Sequence, residues 1–293
     1  MHICKFFTTF VTDFSIIMEK ISKAQVKLVR SLQQKKYRDE LGLFVAEGDK
    51  CVEELRKAFE LVYYIQTAEK PLPDLPLKGQ EETILFATPT EIEQMSSLRA
   101  PQGVIGVFKK HSIGDLRLEI GDLIIALDGI QDPGNMGTII RTCDWFGVHD
   151  IVCSKDTADC YNPKVVQATM GALARVRVHY VNLPEWLKEP TPIPSLKGRV
   201  NIYGTLLDGK DMYEVLRPSE VSSQHSDIIV MGNEGNGISQ EVRSLITSPI
   251  RIPSYPKNGA SEHSGKSEEA PEIIESLNVS IATAIVLAEF RRV

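Results

Sequence analysis

The sequence predicts an α/β protein, with a parallel sheet in its second half and a smaller α/β domain ahead of it. Three observations carry that reading. Runs dense in Val and Ile alternate with helical segments along most of the chain, the rhythm of βαβ units. The length of 293 residues exceeds the roughly 100–200 of a single domain and leaves room for two cores. Three glycine-rich loops follow strands in the second half, at the carboxyl ends where parallel sheets bind ligands.

The first seventeen residues, MHICKFFTTFVTDFSII, resemble a signal peptide weakly: Asp13 interrupts the apolar stretch and no small-residue cleavage site follows. Residues 1–17 are expected to be a flexible tail or a mis-assigned start ahead of Met18. A first α/β domain is expected over 18–110. It opens on a basic amphipathic helix, with Lys20, Lys23, Lys27, Arg30, Lys35, Lys36 and Arg38 free of intervening acids and Val26, Leu28, Val29 and Leu32 at helical spacing. That face fits either a solvated helix or a phosphate-bearing partner such as RNA. The strand GLFVAEG (42–48), a helix near 49–58 and a strand at 61–66 follow. After a Pro-rich loop (KPLPDLPLKG) come a strand at 83–86, a helix opening at Pro89 and the strand GVIGVF (103–108). The polar stretch KKHSIGD (109–115) reads as the linker.

Over 116–293 the strands are DLIIALD (122–128), DIVCS (150–154), RVRVHYV (175–181), RVNIYGTLL (199–207), DIIVMG (227–232) and PIRIP (249–253), with a long helix over 277–292. Hydrophobic residues at 42% and charged residues at 25% fit an ordinary globular protein and exclude collagen-like or low-complexity chains. No apolar run reaches the roughly 18–20 residues of a membrane span. The net charge of −6 argues mildly against nucleic acid, in tension with the basic segment. Five scattered cysteines without a C-x-x-C pair or a neighbouring His argue against a zinc site or disulfide scaffold and for reduced thiols in a cytoplasmic protein. No metal site is expected.

The three strand-end loops hold the candidate chemistry. In DGIQDPGNMGTIIRTCDWFGV a loop over 128–137 leads to a helix over 138–146, which puts Arg141 one turn inside, near the positive end. MGNEGNGIS (231–239) is a second strand–loop–helix unit. The third joins PIRIPSYP to ESLNVSIATAIVLAEF, with Ser276 as N-cap and Asn278 in the first turn. Gly232, Gly235 and Gly237 reverse the dinucleotide fingerprint and come too late in the chain for a nicotinamide site. GASEHSGKS (259–267) mimics a P-loop with one residue too many.

At these residues a resemblance becomes specific. The stretch from about 120 to 293 resembles the SpoU (TrmH-type) branch of the SPOUT RNA methyltransferases, through N-M-G-T-I-I-R (135–141), I-V-M-G-N-E-G-N-G-I (229–238) and the split pair I-R-I-P (250–253) and S-L-N-V-S-I-A-T-A-I (276–285). V-K-L-V-R-S-L, F-V-A-E-G (44–48) and M-S-S-L-R-A-P-Q-G-V-I-G-V (95–107) are similar to the substrate-binding domain often placed ahead of it, itself similar to ribosomal proteins that bind folded RNA.

The resemblance implies a sheet whose C-terminal segment threads a deep trefoil knot, an exception to unknotted topology. S-adenosylmethionine would lie there, at Gly232, Ile252 and Leu277, with Thr205 in I-Y-G-T-L-L-D-G a further position. It implies methyl transfer to a ribose 2′-hydroxyl of RNA, ribosomal RNA ahead of transfer RNA, with Arg141 as the catalytic arginine. Asn135, Glu234 and Asn278 would assist it or else satisfy loop backbone groups; a helix-capping or salt-bridge role is the alternative for Arg141. Lys23, Lys27 and Arg30 would meet RNA. Family members are typically homodimers built partly through the last helix, whose all-round apolar character fits burial. The sequence departs from the family in an insertion, KNGASEHSGKSEEAPEII (257–274), expected to be a disordered solvent loop. The rival reading is a non-catalytic RNA-binding or ribosome-assembly protein that keeps the fold.

Overall fold

The computed structural model describes residues 10–11, 14–71, 82–111, 123–188, 200–216, 226–254 and 276–292. Most of the Pro-rich loop, the linker beyond His111 and the 257–274 insertion lie outside these residues. In chain order the elements are β1 (Phe10–Val11), β2 (Phe14–Lys20), α1 (Lys23–Ser31), α2 (Lys35–Leu41), β3 (Leu43–Glu47), α3 (Asp49–Leu55), β4 (Leu61–Thr67), β5 (Glu82–Ala87), α4 (Pro89–Met95) and β6 (Val104–Lys109). There follow β7 (Leu123–Asp128), α5 (Pro133–Trp145), β8 (Asp150–Ser154), α6 (Pro163–Thr169), a 3-10 turn (Ala172–Ala174), β9 (Arg177–Val181) and α7 (Leu183–Lys188). The chain continues through β10 (Val200–Asp211), α8 (Met212–Val215), β11 (Ser226–Gly232), α9 (Gln240–Arg243), β12 (Ser248–Arg251) and α10 (Val279–Phe290).

The chain divides into two compact units: one drawn from 1–115, 132–145 and 158–178, the other from 116–131, 146–157 and 179–293. The first holds a mixed sheet in the order β1-β2-β5-β4-β6-β3. Its core includes Val29, Leu32, Ile65, Leu85, Met95 and Ile105, all buried. β2 pairs in parallel with β5 from Ile16↔Glu82 to Lys20↔Phe86. Within the span 1–17, Phe10–Val11 and Phe14–Ile17 are strand; the run around Ile16 and Ile17 has high β propensity and a partner strand to bond.

The single basic helix is corrected. It is two helices, interrupted where Arg38 Nη1 donates to the carbonyls of Leu32 (2.9 Å) and Gln33 (3.0 Å) and so closes the end of α1. Arg38 is buried, and its Nη2 lies 2.7 Å from Asp159 Oδ2, so it belongs to the interior rather than to a basic face. α1 starts on a capping box formed by Ser22 and Gln25. It buries Val26 and Val29 and leaves Lys23, Lys27 and Arg30 exposed. In the same unit α5 lies against α6 so closely that a Cβ on Gly137 would stand 2.4 Å from the Ala168 Cβ.

The second unit holds the sheet β12-β10-β11-β7-β8-β9, in which β12, β10, β11, β7 and β8 pair in parallel. Ile124, Ala126, Val152, Ile228 and Val230 form its core, as expected for strands covered on both faces. α10 packs on β11 and sets Phe290 edge-on to Tyr203, ring centroids 5.0 Å apart. Cys51, Cys143, Cys153 and Cys160 are buried free thiols, and burial pushes the Cys51 thiol up to about 11. Among the described residues no helix is long and apolar enough to cross a membrane, and no cluster of metal-ligating side chains occurs.

Candidate active site

In the second unit β7 and β11 end side by side, with Gly232 in register with Asp128. The chain leaves β7 through Gly129, whose φ of +69° is the left-handed region that favours glycine. The Gly129 amide donates to Ser154 Oγ at 2.9 Å, and its carbonyl accepts from Asn233 Nδ2 at 2.7 Å. Asn233 Oδ1 accepts the amides of Gly235 (2.8 Å) and Asn236 (3.1 Å), folding the glycine-rich loop back on itself. Paired hydrogen bonds between Asn233 and Gly237 close that loop. Gly232 is required here: a Cβ on it would lie 2.4 Å from the Gly237 carbonyl carbon. Buried Asp128 accepts the Ser239 amide at 2.7 Å and so ties the far end of the loop to β7.

The third motif reaches the same loop. Glu234 Oε1 accepts from Asn278 Nδ2 at 2.7 Å and from the Val279 amide at 3.2 Å. Asn278 Oδ1 in turn accepts the Ser280 (3.0 Å) and Ile281 (3.4 Å) amides. Asn278 is thus the N-cap of α10, which corrects the expected cap at Ser276: the longer reach of the Asn carboxamide satisfies two orphan amides at once. Asn278→Ala should destabilise the protein by about 1 kcal/mol, read by urea unfolding, with Asn278→Ser recovering most of it.

Thr205, inside the strand expected over 199–207, is in β10, at the start of an irregularity in which both Thr205 and Lys210 align with Ile250 of β12. Its hydroxyl donates to the Val230 carbonyl at 3.2 Å. The excursion needs Gly209, where a Cβ would fall 2.5 Å from Ile250 main-chain atoms. Half-buried Ile252 follows the end of β12, and exposed Leu277 precedes the cap of α10.

The second unit therefore brings Gly232 and Glu234 together with Asn278, and it also carries Thr205, Ile252 and Leu277. Asn135 and Arg141 lie on α5, among the residues of the first unit, as do Lys23, Lys27 and Arg30 on α1. α5 begins at Pro133, not Thr138, because Asp132 caps it: Asp132 Oδ1 accepts the Asn135 amide at 2.7 Å and the Asp132 carbonyl accepts from Met136. Asn135 is thereby in the first turn, while exposed Arg141 is beyond the turn in which the helix dipole acts. Asp-Pro at 132–133, an N-cap followed by Pro at N1, is the signal that marks this start. Asn233 was also passed over, although Asn two residues before Gly is an Asx-turn signature.

The fold and these three motifs define a methyltransferase-type α/β chain. Residues 122–261 match the SpoU rRNA Methylase family, and residues 23–106 match the MRM3-like substrate binding domain. The chain is 35% identical to a TrmH-family protein of known structure from Porphyromonas gingivalis, with a TM-score of 0.76 over 93% of this chain and 98% of that one. It is 26% identical to an AdoMet-bound rRNA methyltransferase from Sinorhizobium meliloti, with a TM-score of 0.70 and coverage of 94% and 98%. Among curated proteins it is 26% identical to the 23S rRNA (guanosine(2553)-2′-O)-methyltransferase RlmP of Bacillus subtilis, over 94% of this chain and 98% of that protein. The chain belongs to the SpoU rRNA methylase family, and within it this is a member that carries an MRM3-like substrate-binding domain.

Proposed function

We propose that the protein transfers the methyl group of S-adenosylmethionine to a ribose 2′-hydroxyl of structured RNA, ribosomal rather than transfer RNA. The observation that carries this is the locked pair of loops at Gly232–Glu234 and Asn278, on a chain whose relative is named for 2′-O-methylation of 23S rRNA. The residues fit the cofactor: a close backbone approach at Gly232, main chain leaving the sheet at Ile252, and an aliphatic surface at Leu277 suit a flat heterocycle bound largely by backbone. Thr205, Gly232, Ile252 and Leu277 would hold it. Bound, it supplies a sulfonium methyl that is already activated.

The protein's task is then to orient the attacking oxygen and exclude water. An alcohol is a poor nucleophile until its proton leaves. Arginine remains charged at neutral pH, so Arg141 acts by stabilising the developing alkoxide or passing the proton to an RNA phosphate, with Asn135 assisting. Glu234 and Asn278 engage each other and the start of α10, which supports a positioning role for both.

Residues 18–110 are proposed as the RNA-binding part and 116–293 as the methyltransferase part, with a trefoil knot in the latter; family matches over 23–106 and 122–261 support a division of this kind. A homodimer is supported by the exposed Leu277 and Ile281 at the start of the apolar α10. A cytoplasmic setting is supported by the four free cysteines. Calorimetric titration with S-adenosylmethionine, followed by transfer of labelled methyl to separated ribosomal and transfer RNA, tests the reading; cofactor binding without transfer to either RNA would favour the non-catalytic alternative.

Lys23, Lys27 and Arg30 are proposed to meet RNA phosphates. Reversing the three charges is expected to weaken RNA binding at least ~10-fold at low salt and to flatten its salt dependence by about three counterions, with cofactor affinity unchanged. Unaltered RNA affinity would remove α1 from the interface.

A further inference from the structure

In the first unit a cleft of about 230 Å³ lies between the end of β4, the start of α4 and the 101–103 turn. Its size falls below the roughly 300–1,000 Å³ of sites for drug-sized ligands, and suits one ring system. Its lining combines the apolar Pro89, Pro101 and buried Ile92 with the polar Thr67, Lys70, Glu93 and Gln102. Along its rim, Thr67 Oγ1 and the exposed Glu93 carboxylate and Gln102 carboxamide take no protein hydrogen-bond partner among the described residues, while Lys70 is paired with Asp49 at 2.5 Å. A rim with one free carboxylate and an ammonium already paired with Asp49 does not suit a phosphate. It suits a neutral heterocycle with donors and acceptors along its edge.

The cleft is also held in shape. The buried Glu47 carboxylate accepts from Ser96 Oγ (2.6 Å), the Ser97 amide (2.7 Å) and Ser97 Oγ (3.1 Å), which fixes the turn that leads to Pro101. The Thr67 amide donates to the Gly103 carbonyl at 3.1 Å. Gln102 folds over Gly48, where a Cβ would sit 2.2 Å from its Oε1. α4, which carries Ile92 and Glu93, packs against α1, and Gln33 Nε2 donates to the Met95 carbonyl at 3.0 Å. The cleft thus adjoins the helix that bears Lys23, Lys27 and Arg30.

The geometry points to this cleft as the seat of one unstacked nucleobase of the substrate RNA, set against Pro89 and Pro101 and read by Glu93, Gln102 and Thr67, while the adjoining basic helix takes the backbone. Bound RNA is commonly recognised in this way, by a splayed base in a pocket beside phosphate contacts. This deepens the proposed function and rests on it.

The test uses full-length protein with a ribosomal RNA fragment that the wild type binds. Gln102→Ala and Thr67→Val change no charge, and Glu93→Gln removes one that faces the cleft. Each is expected to raise the RNA Kd about ten-fold with the thermal midpoint and cofactor affinity unchanged; for the two neutral variants the slope of log Kd against log salt also stays the same, because no phosphate contact is lost. RNA carrying 4-thiouridine or 6-thioguanosine should crosslink to peptides within 89–103. An unchanged Kd in all three variants, a changed salt slope in Gln102→Ala, or crosslinks that avoid 89–103 would overturn the assignment. A wild type that binds no RNA would overturn the functional reading instead.

Discussion

Arg141→Ala is expected to lower methyl transfer about 10²–10³-fold, the loss typical when one preorganised charge is removed from a developing oxyanion. Cofactor affinity and the thermal midpoint should not move. The separation is sharp because Arg141 is exposed on α5 and has no ion-pair partner among the described residues, so its removal breaks no structural contact. Alanine is also the better helix former. Arg141→Lys keeps the charge and loses the planar fork, and should recover only part of the rate. Single-turnover assays with saturating cofactor read this directly. A variant that keeps most of the wild-type rate would take Arg141 out of the chemistry.

The largest effect on stability is expected at Arg38. Its side chain is 2% exposed and that of Asp159 is 11% exposed, and the guanidinium bonds Asp159 twice as well as the carbonyls of Leu32 and Gln33. Arg38→Ala leaves the Asp159 carboxylate with only the Tyr161 amide on Oδ1 and strips the guanidinium from two carbonyls, and should cost about 3–5 kcal/mol by urea unfolding. Arg38→Met with Asp159→Asn removes both charges and should cost less, because no uncompensated charge remains. A loss below about 1 kcal/mol in the single variant would show that water replaces the guanidinium and that the site is effectively at the surface.

Arg38 also shows where the sequence was hard to read. In a run of seven basic residues it looks like its neighbours; only Asp159, 121 positions away, makes it an interior residue. The sheets were legible because Val- and Ile-rich runs declare themselves locally, and β8 at Asp150–Ser154 begins and ends where its pattern does. Boundaries were less so. Asp132 and Asn278 cap helices that the apolar pattern alone starts elsewhere, since a cap is a side-chain hydrogen bond and leaves no trace in hydrophobic periodicity. The motifs led to Gly232, Glu234 and Asn278, but that Glu234 bonds Asn278 and the Val279 amide required the fold. Asn233 escaped notice because part of its work is done toward Gly129, 104 positions away.

The measurement that bears most directly on the account is the identity of the methylated nucleoside. Protein, labelled S-adenosylmethionine and ribosomal RNA from a strain lacking the gene would be incubated, and the RNA digested to nucleosides and separated. Label in a single 2′-O-methyl nucleoside, absent from the Arg141→Ala reaction, is the predicted result. Label on a base, or none despite demonstrated cofactor and RNA binding, would contradict it.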